Sequence, residues 1–104
     1  MGIVIVIPAD KAQAIRSRET DDRPTLQQLQ DIVDGYIQIV PGWDDYMGKP
    51  AVVYCNEDGK ARQLPFNVRA TTHWFAKLGY LGDDVLCGDV VLVVDLPDKE
   101  EEEE

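Results

Sequence analysis

The chain has 104 residues, 44% of them hydrophobic, and a formal net charge of -10. That length suits one compact domain. The 10 Lys and Arg residues are scattered along the sequence, so direct binding to duplex DNA is not expected, because it requires clustered positive charge. Residues 1–97 are predicted to form a single domain. Residues 98–104 carry five consecutive glutamates and are predicted to form a disordered acidic tail.

The cysteine content and the first residues indicate a compartment. Cys55 and Cys87 are too few for a disulfide framework, which favours a reducing environment. The apolar run Ile3–Ile7 is too short to span a membrane and is not preceded by the basic segment of a signal peptide. We therefore predict a cytoplasmic protein, located in the host cytoplasm if the protein is viral, with no membrane association.

Two apolar runs near the ends of the sequence predict central strands. Gly2–Pro8 is rich in β-branched residues, and Gly88–Pro97 has the same character. Continuous apolar runs of this length are typical of strands covered on both faces. The charged stretch from 9 to 23 predicts a surface loop.

A capping box and a glycine predict the first helix. Thr25 is followed three residues later by Gln28, the arrangement of reciprocal hydrogen bonds at a helix start. The helix is expected over Leu26–Asp34, with Gly35 as the left-handed residue that ends it. The alternating segment Tyr36–Val40 then predicts a second strand.

The middle of the chain predicts a hairpin that leads into a second helix. Ala51–Asn56 is expected to be a strand, and Asp58-Gly59 a tight turn into a returning strand over Lys60–Leu64. Residues 43–50 are expected to form a loop. Asn67 is a good N-cap for a helix that runs to about Leu78 and is closed by Gly79. Its predicted inward stripe comprises Val68, Thr71 or Thr72, Phe75 and Leu78.

These elements predict an α+β domain of order β-α-β-β-β-α-β. Two helices pack on a mixed or antiparallel sheet of four to five strands. The two apolar end strands are expected in the middle of the sheet.

Catalytic and metal-binding signatures are missing from the sequence. His73 is the only histidine, which excludes a zinc site built on a histidine pair. No phosphate-binding loop, dinucleotide fingerprint or nucleophile elbow is present. A Cys-His nucleophilic pair is a formal alternative, but buried core thiols are the more common role of free cysteines. No catalytic residue, metal or cofactor is predicted.

The hairpin-to-helix corner is the candidate ligand site. It combines amide, cationic and hydroxyl groups with the start of a helix, a combination that suits a phosphate or carboxylate. The polar candidates are Asn56, Lys60, Arg62, Asn67, Arg69 and Thr71, and the aromatic residues able to stack on a base are Tyr36, Trp43 and Tyr54. The alternative is that the polar residues serve only turns and caps, and that Trp43 covers the edge of the core.

Four segments resemble a known family. Leu29–Gln38, Val53–Lys60, Leu64–Thr71 and Gly88–Val93 are similar to small phage and bacterial proteins catalogued as domain of unknown function number thirty-eight forty-six. Asp34-Gly35 stands where many members have two glycines. The resemblance implies an accessory protein of a viral or mobile genome that acts on a host system.

Three functions are compatible with these observations. The first is a non-enzymatic binding protein that sequesters a nucleotide-like signalling ligand or occupies a host protein, and a homo-oligomer is compatible with this function. The second is an acidic mimic of nucleic acid that inhibits a DNA- or RNA-binding protein. The third is a small enzyme with an unidentified pocket.

Overall fold

The fold is an antiparallel sheet with one helix on each face. The computed structural model describes residues 2–79, 82 and 84–96. The elements are β1 (Gly2–Ile7), β2 (Arg16–Thr20), α1 (Leu26–Val33), β3 (Ile37–Ile39), β4 (Asp45–Tyr46), β5 (Lys49–Asn56), α2 (Val68–Leu78) and β6 (Val90–Val94). The strands follow the order β2-β1-β6-β5-β3, and β4 pairs with β5. The predicted α+β class is confirmed, with six strands in place of four to five.

The two apolar end strands lie in the middle of the sheet, as predicted. β6 pairs antiparallel with β1 on one side and with β5 on the other. All five residues of β6 are buried, because the sheet is covered on both faces. Each fully buried Val or Leu contributes about 1.5–3 kcal/mol of transfer free energy.

Each helix closes one of two hydrophobic clusters. Leu29 and Val33 of α1 pack with Val91 and Val93 on one face of the sheet. Ala70 and Trp74 of α2 pack on the other face with strand residues that include Val53 and Leu92, and with Trp43. The alternation of side chains along β5 and β6 distributes successive residues between these clusters.

The start of α1 agrees with the prediction, and its end differs by one residue. Thr25 and Gln28 form the capping box. Asp34, with φ 63°, is the left-handed residue that closes the helix, instead of Gly35. Aspartate tolerates this conformation better than most residues because its side chain is short and polar. Gly35 is required for space, since a Cβ there would lie 2.7 Å from Nδ2 of Asn56.

Two predicted loops contain strands. β2 lies within the stretch 9–23 and pairs with β1. Its residues are largely exposed on both faces because β2 is an edge strand, so the sequence shows no apolar alternation there. β4 lies within 43–50 and is joined to β5 by Met47 and Gly48, with φ angles of 50° and 81°. Two successive positive φ angles indicate the type I′ turn of a two-residue hairpin.

The predicted hairpin at Asp58-Gly59 and the strand Lys60–Leu64 are wrong. The chain winds through consecutive turns, with the N–H of Arg62 bonded to the carbonyl of Asp58 at 2.8 Å and that of Leu64 to Gly59 at 2.9 Å. A returning strand would have no free position beside β5, because β6 and β3 already occupy its two edges.

The predicted second helix is confirmed between Asn67 and Gly79, with a shifted inward face. Ala70, Thr71 and Trp74 are buried. The predicted Phe75 and Leu78 are partly buried against the cluster, and Val68 is also partly buried, whereas Thr72 is exposed. The indole of Trp74 takes the central position because its Nε1 donates to the carbonyl of Pro41 at 2.7 Å.

No helix in the described part of the chain is both long and apolar enough to cross a membrane. The predicted acidic tail, residues 98–104, lies outside the described residues.

The two N-caps allow a matched test of buried against exposed hydrogen bonds. Asn67→Ala removes a fully buried side chain together with its hydrogen bonds to one N–H and two carbonyl groups. Each unsatisfied buried group costs about 1–3 kcal/mol, so we expect a loss of roughly 3 kcal/mol or more. Thr25→Ala removes the exposed cap of α1 and should cost only about 1 kcal/mol. Urea denaturation measures both, and equal losses would contradict the buried role of Asn67.

Candidate functional site: the free edge of β3

Asn56 uses its whole side chain within the fold. Its Nδ2 donates to the carbonyl groups of Val33 at 2.9 Å and Asp34 at 3.0 Å, and its Oδ1 accepts from the N–H of Asp58 at 2.7 Å. The first two bonds satisfy carbonyl groups at the end of α1, which have no partner inside the helix. The amide therefore joins the end of β5 to the end of α1.

Asn67 and Thr71 form a second buried junction. The Nδ2 of Asn67 donates to Ile7 and Gly88 at 2.9 Å each, and its Oδ1 caps α2 by accepting from Ala70 at 3.0 Å. The hydroxyl of Thr71 accepts from the N–H of Leu86 at 3.0 Å. These bonds hold the start of α2 against the end of β1 and the segment that leads to β6.

The cationic candidates contact other parts of the protein. Nη2 of Arg69 donates to the carbonyl groups of Pro8 at 2.7 Å and Asp10 at 3.0 Å. Its Nε is buried and has no hydrogen-bond partner among the described residues.

Lys60 and Arg62 each pair with a carboxylate. The ammonium of Lys60 contacts Asp84. Arg62 donates to the carbonyl of Asp34 and, at 3.2 Å, to its carboxylate. Both basic side chains are exposed, so solvent screens the attraction within each ion pair. The two pairs lie at the protein surface and connect the loop after β5 to neighbouring segments.

The three aromatic candidates lie in different environments. Trp43 is 1% exposed and stacks on the His73 ring, with centroids 5.0 Å apart. Tyr54 is buried, and its hydroxyl accepts from Arg23. Tyr36 alone is open to solvent, at 67% exposure. The nine candidates therefore divide between separate junctions and do not line a common pocket.

A small cavity of about 50 Å³ lies between the ends of β3 and β5 and the segment before β6. Cys55 and Cys87 both line it, together with Lys60, Asp84 and Trp74. Both thiols are free. Burial raises the pKa of the Cys55 thiol, the Lys60 ammonium acts in the opposite direction, and Cys87 adds to the rise. The cavity has the size of a few water molecules and is too small for a nucleotide.

The outer edge of β3 has free backbone groups. Val40 donates to the carbonyl of Val53 at 2.8 Å, and Glu57 donates to the carbonyl of Tyr36 at 2.9 Å. In an antiparallel ladder the residues that bond to the neighbouring strand alternate. The N–H and C=O groups of the intervening Ile37 and Ile39 therefore point away from β5. No other described residue bonds to them.

Exposed apolar side chains accompany these groups. Ile39 is 60% exposed, and Tyr36 immediately precedes the strand. The opposite edge of the sheet, β2, carries Arg16, Arg18 and Glu19. Charged side chains discourage the pairing of an edge with another strand. The segment 36–40 has no charge, so β3 is the edge available for pairing.

A shallow groove of about 350 Å³ adjoins the start of β3. Tyr36 forms one wall, and the solvent-facing side of α1 forms the other. The lining residues are Gln27, Gln30, Asp31, Asp34, Gly35 and Tyr36. Arg62 lies at its rim through the contact with Asp34, so the groove has a small excess of negative charge.

Within the described residues, no group of three or more His, Cys, Asp or Glu side chains is placed to hold a metal ion. The His73 ring stacks with the rings of Trp43 and Tyr46 and is not among the residues that line the cavity with the thiols.

Comparison with known proteins identifies a family. The family model described as Domain of unknown function (DUF3846) matches residues 1–104. The chain belongs to this family. No curated protein and no solved structure matches it. The DUF3846 description gives no activity.

The two thiols should differ in reactivity. Cys87 is partly exposed, whereas Cys55 is buried and has a raised pKa. The reactive thiolate of Cys55 therefore forms at a higher pH than that of an ordinary thiol. We expect iodoacetamide at pH 8 to alkylate Cys87 first, and Lys60→Gln to slow Cys55 further. Peptide mass spectrometry measures both rates. Faster alkylation of Cys55 would contradict the environment described for it.

The free edge predicts a pattern of amide exchange. The N–H groups of Ile37 and Ile39 should exchange with solvent deuterium much faster than that of Val40, which donates to β5. The measurement is hydrogen exchange followed by NMR, at a protein concentration low enough to keep the chain monomeric. Protection of Ile37 and Ile39 in the monomer would show that the outward direction of these groups is wrong.

Proposed function

We propose that this DUF3846 member is a non-enzymatic binding protein that engages a protein partner through the outer edge of β3. An extended segment of the partner would add to the sheet as a further strand. The observation that carries the proposal is the pair of outward-facing peptide groups at Ile37 and Ile39. In strand addition such main-chain groups supply affinity, and alternate side chains supply specificity.

The surroundings of the strand favour a protein segment over a nucleotide. Three of the polar side chains predicted to bind a nucleotide already bond to backbone groups in the interior, namely Asn56, Asn67 and Thr71. The described grooves contain no cluster of unpaired cations for a phosphate. Ile39 and Tyr36 offer apolar contact area instead.

The charge distribution supports a partner with basic residues. Asp31 and Asp34 line the groove beside Tyr36, and Arg62 offsets part of their charge. A Lys or Arg side chain of the partner would contact the carboxylates and the face of the Tyr36 ring. The formal charge of -10 on the chain acts in the same direction by raising the rate of encounter with basic partners.

Of the three functions compatible with the sequence, the proposal retains the first, a non-enzymatic binding protein, in the form that occupies a host protein and not in the form that sequesters a nucleotide-like ligand. The resemblance to accessory proteins of viral or mobile genomes suggests that the partner belongs to a host.

A proline at the free edge tests the proposal. The N–H of Ile39 does not bond to β5, so Ile39→Pro removes an outward donor without removing a bond of the sheet. Peptides that bind the wild-type protein are first selected from a displayed random library. We expect these peptides to bind Ile39→Pro at least about fivefold more weakly, because the variant lacks one hydrogen bond to the added strand and fits that strand less well.

The matched control is Ile39→Val, which retains the N–H and should bind the same peptides nearly as well. Fluorescence anisotropy with the synthetic peptides gives the affinities, and Lys or Arg should be enriched among them. Peptides that bind the wild type and Ile39→Pro equally would exclude strand addition at β3. A selection that enriches no peptide would also count against the proposal.

A further inference from the structure

An exposed apolar edge is hazardous for a soluble protein, since it pairs with any compatible strand. The charged edge at β2 avoids this hazard, and the uncharged edge at β3 does not. The residues 36–40 therefore need an occupant when no partner is bound. The sequence of this segment makes a second copy of the chain a suitable one.

We propose that two copies of the chain pair through their β3 strands, antiparallel and about a twofold axis that passes beside Gln38, so that the dimer masks the edge used for partner binding. The inference concerns the regulation of the same edge and to that extent rests on the proposed function. The dimer itself follows from the register of the strand and does not depend on that function.

The alternation of peptide groups restricts the register. Only residues with outward groups can form hydrogen-bonded pairs across the dimer, so Ile37 and Ile39 must pair with Ile37 or Ile39 of the second copy. Placing the axis at Gln38 pairs Ile37 with Ile39 in both directions. This arrangement forms four backbone hydrogen bonds between the two copies. An axis at Ile37 or at Ile39 would pair that residue with itself. The other isoleucine would then lie opposite a residue outside β3.

The side chains in this register are compatible with one another. Ile37 of one copy lies opposite Ile39 of the other, on the face of the sheet that α1 covers. The two Gln38 side chains lie opposite each other across the axis, where their amides can donate and accept reciprocally. Tyr36 lies opposite Val40. No like charges face each other, the arrangement that most often opposes pairing between identical strands.

The net charge of the chain makes the stability of this dimer depend on salt concentration. Both copies carry the same formal charge of -10, so their long-range interaction is repulsive. Added salt screens this repulsion. The dimer should therefore strengthen with ionic strength, whereas binding of a basic segment at the same edge should weaken.

A single substitution separates the dimer from partner binding. Gln38→Glu puts two carboxylates opposite each other at the axis and should weaken the dimer about fivefold or more. Gln38 is exposed, so the monomer should remain folded, and the affinity for a selected peptide should change little or rise. Gln38→Asn is the uncharged control. Sedimentation velocity over a range of concentrations measures the monomer–dimer equilibrium.

Cross-linking tests the position of the axis. At a non-hydrogen-bonded pair the Cα atoms lie about 4.5 Å apart, a separation that a disulfide spans. In a Cys55→Ala/Cys87→Ala background, Gln38→Cys should give a disulfide-linked dimer on mild oxidation with oxidised glutathione, and Ile39→Cys should not. Circular dichroism confirms that the background variant is folded, and if it is not, Gln38→Glu decides alone.

The outcomes are distinct. A salt-strengthened dimer that is weakened by Gln38→Glu and cross-linked only through position 38 supports the inference. A chain that stays monomeric at the highest concentration overturns it, and so does a dimer that is indifferent to Gln38→Glu and Ile39→Pro. In either case peptide binding at β3 would leave the proposed function standing, since it is measured on the monomer. A dimer without any peptide binding would support the inference and remove the proposed function.

Discussion

The structure depends on β6, which is paired on both edges and buried on both faces. β1 and β5 bond to its two sides, and the helices cover the sheet above and below it. A strand in this position has no polar group left for a ligand and no exposed side chain. Functional surface is therefore confined to the outer strands, the helix faces directed to solvent and the connections between elements. The candidate site lies on one of those outer strands.

The two outer strands, β2 and β3, differ in their content of charged residues. β2 carries three charged residues in five, and this charge makes a further strand beside it unfavourable. β3 has none. Its flanking residues extend its hydrogen bonding by one residue at each end, because Val40 bonds to Val53 of β5 and Tyr36 bonds to Glu57, the residue after β5. Because charge protects the β2 edge from pairing, the lack of charge at the β3 edge favours a role for β3 in pairing. Simple solubility would favour charge at both edges.

Local signals in the sequence predicted the elements whose structure is decided locally. The capping box of Thr25 and Gln28 and the N-cap Asn67 satisfy helix ends with bonds three residues away, so pattern and structure coincide. The runs Gly2–Pro8 and Gly88–Pro97 predicted central strands because burial on both faces of a strand leaves a nearly continuous apolar composition.

The elements that were not predicted depend on neighbours distant in sequence. β2 has a charged composition and forms a strand only because β1 offers it an edge. The turn at Asp58-Gly59 looks like a hairpin locally, but β3 and β6 leave no position for the returning strand. Asp34 takes the left-handed conformation expected of Gly35, while the space beside Gly35 is filled by Asn56. Each of these outcomes follows from tertiary packing.

The candidate site was harder to predict than the fold because it too depends on contacts between residues distant in sequence. Residue type shows that Asn56 or Asn67 can form several hydrogen bonds, but it does not show whether the protein itself supplies all the partners. The structure supplies them in both cases. The edge of β3 gives no signal in residue type, since its functional groups belong to the backbone. The alternation in Tyr36–Val40 predicted a strand there without indicating which side of the strand would be free.

The hydrogen bonds of Asn56 influence which side of β3 is free. By donating to Val33 and Asp34 it holds the end of α1 against the end of β5. Only three residues lie between α1 and β3. With α1 and β5 fixed, that short connection determines which residues of β3 bond to β5: Tyr36 and Val40 do, so Ile37 and Ile39 face outward. A shift by one residue would turn these groups inward and place Gln38 at the free edge. The polar corner that resembles a ligand site in the sequence thus sets the register that leaves the peptide groups of Ile37 and Ile39 available.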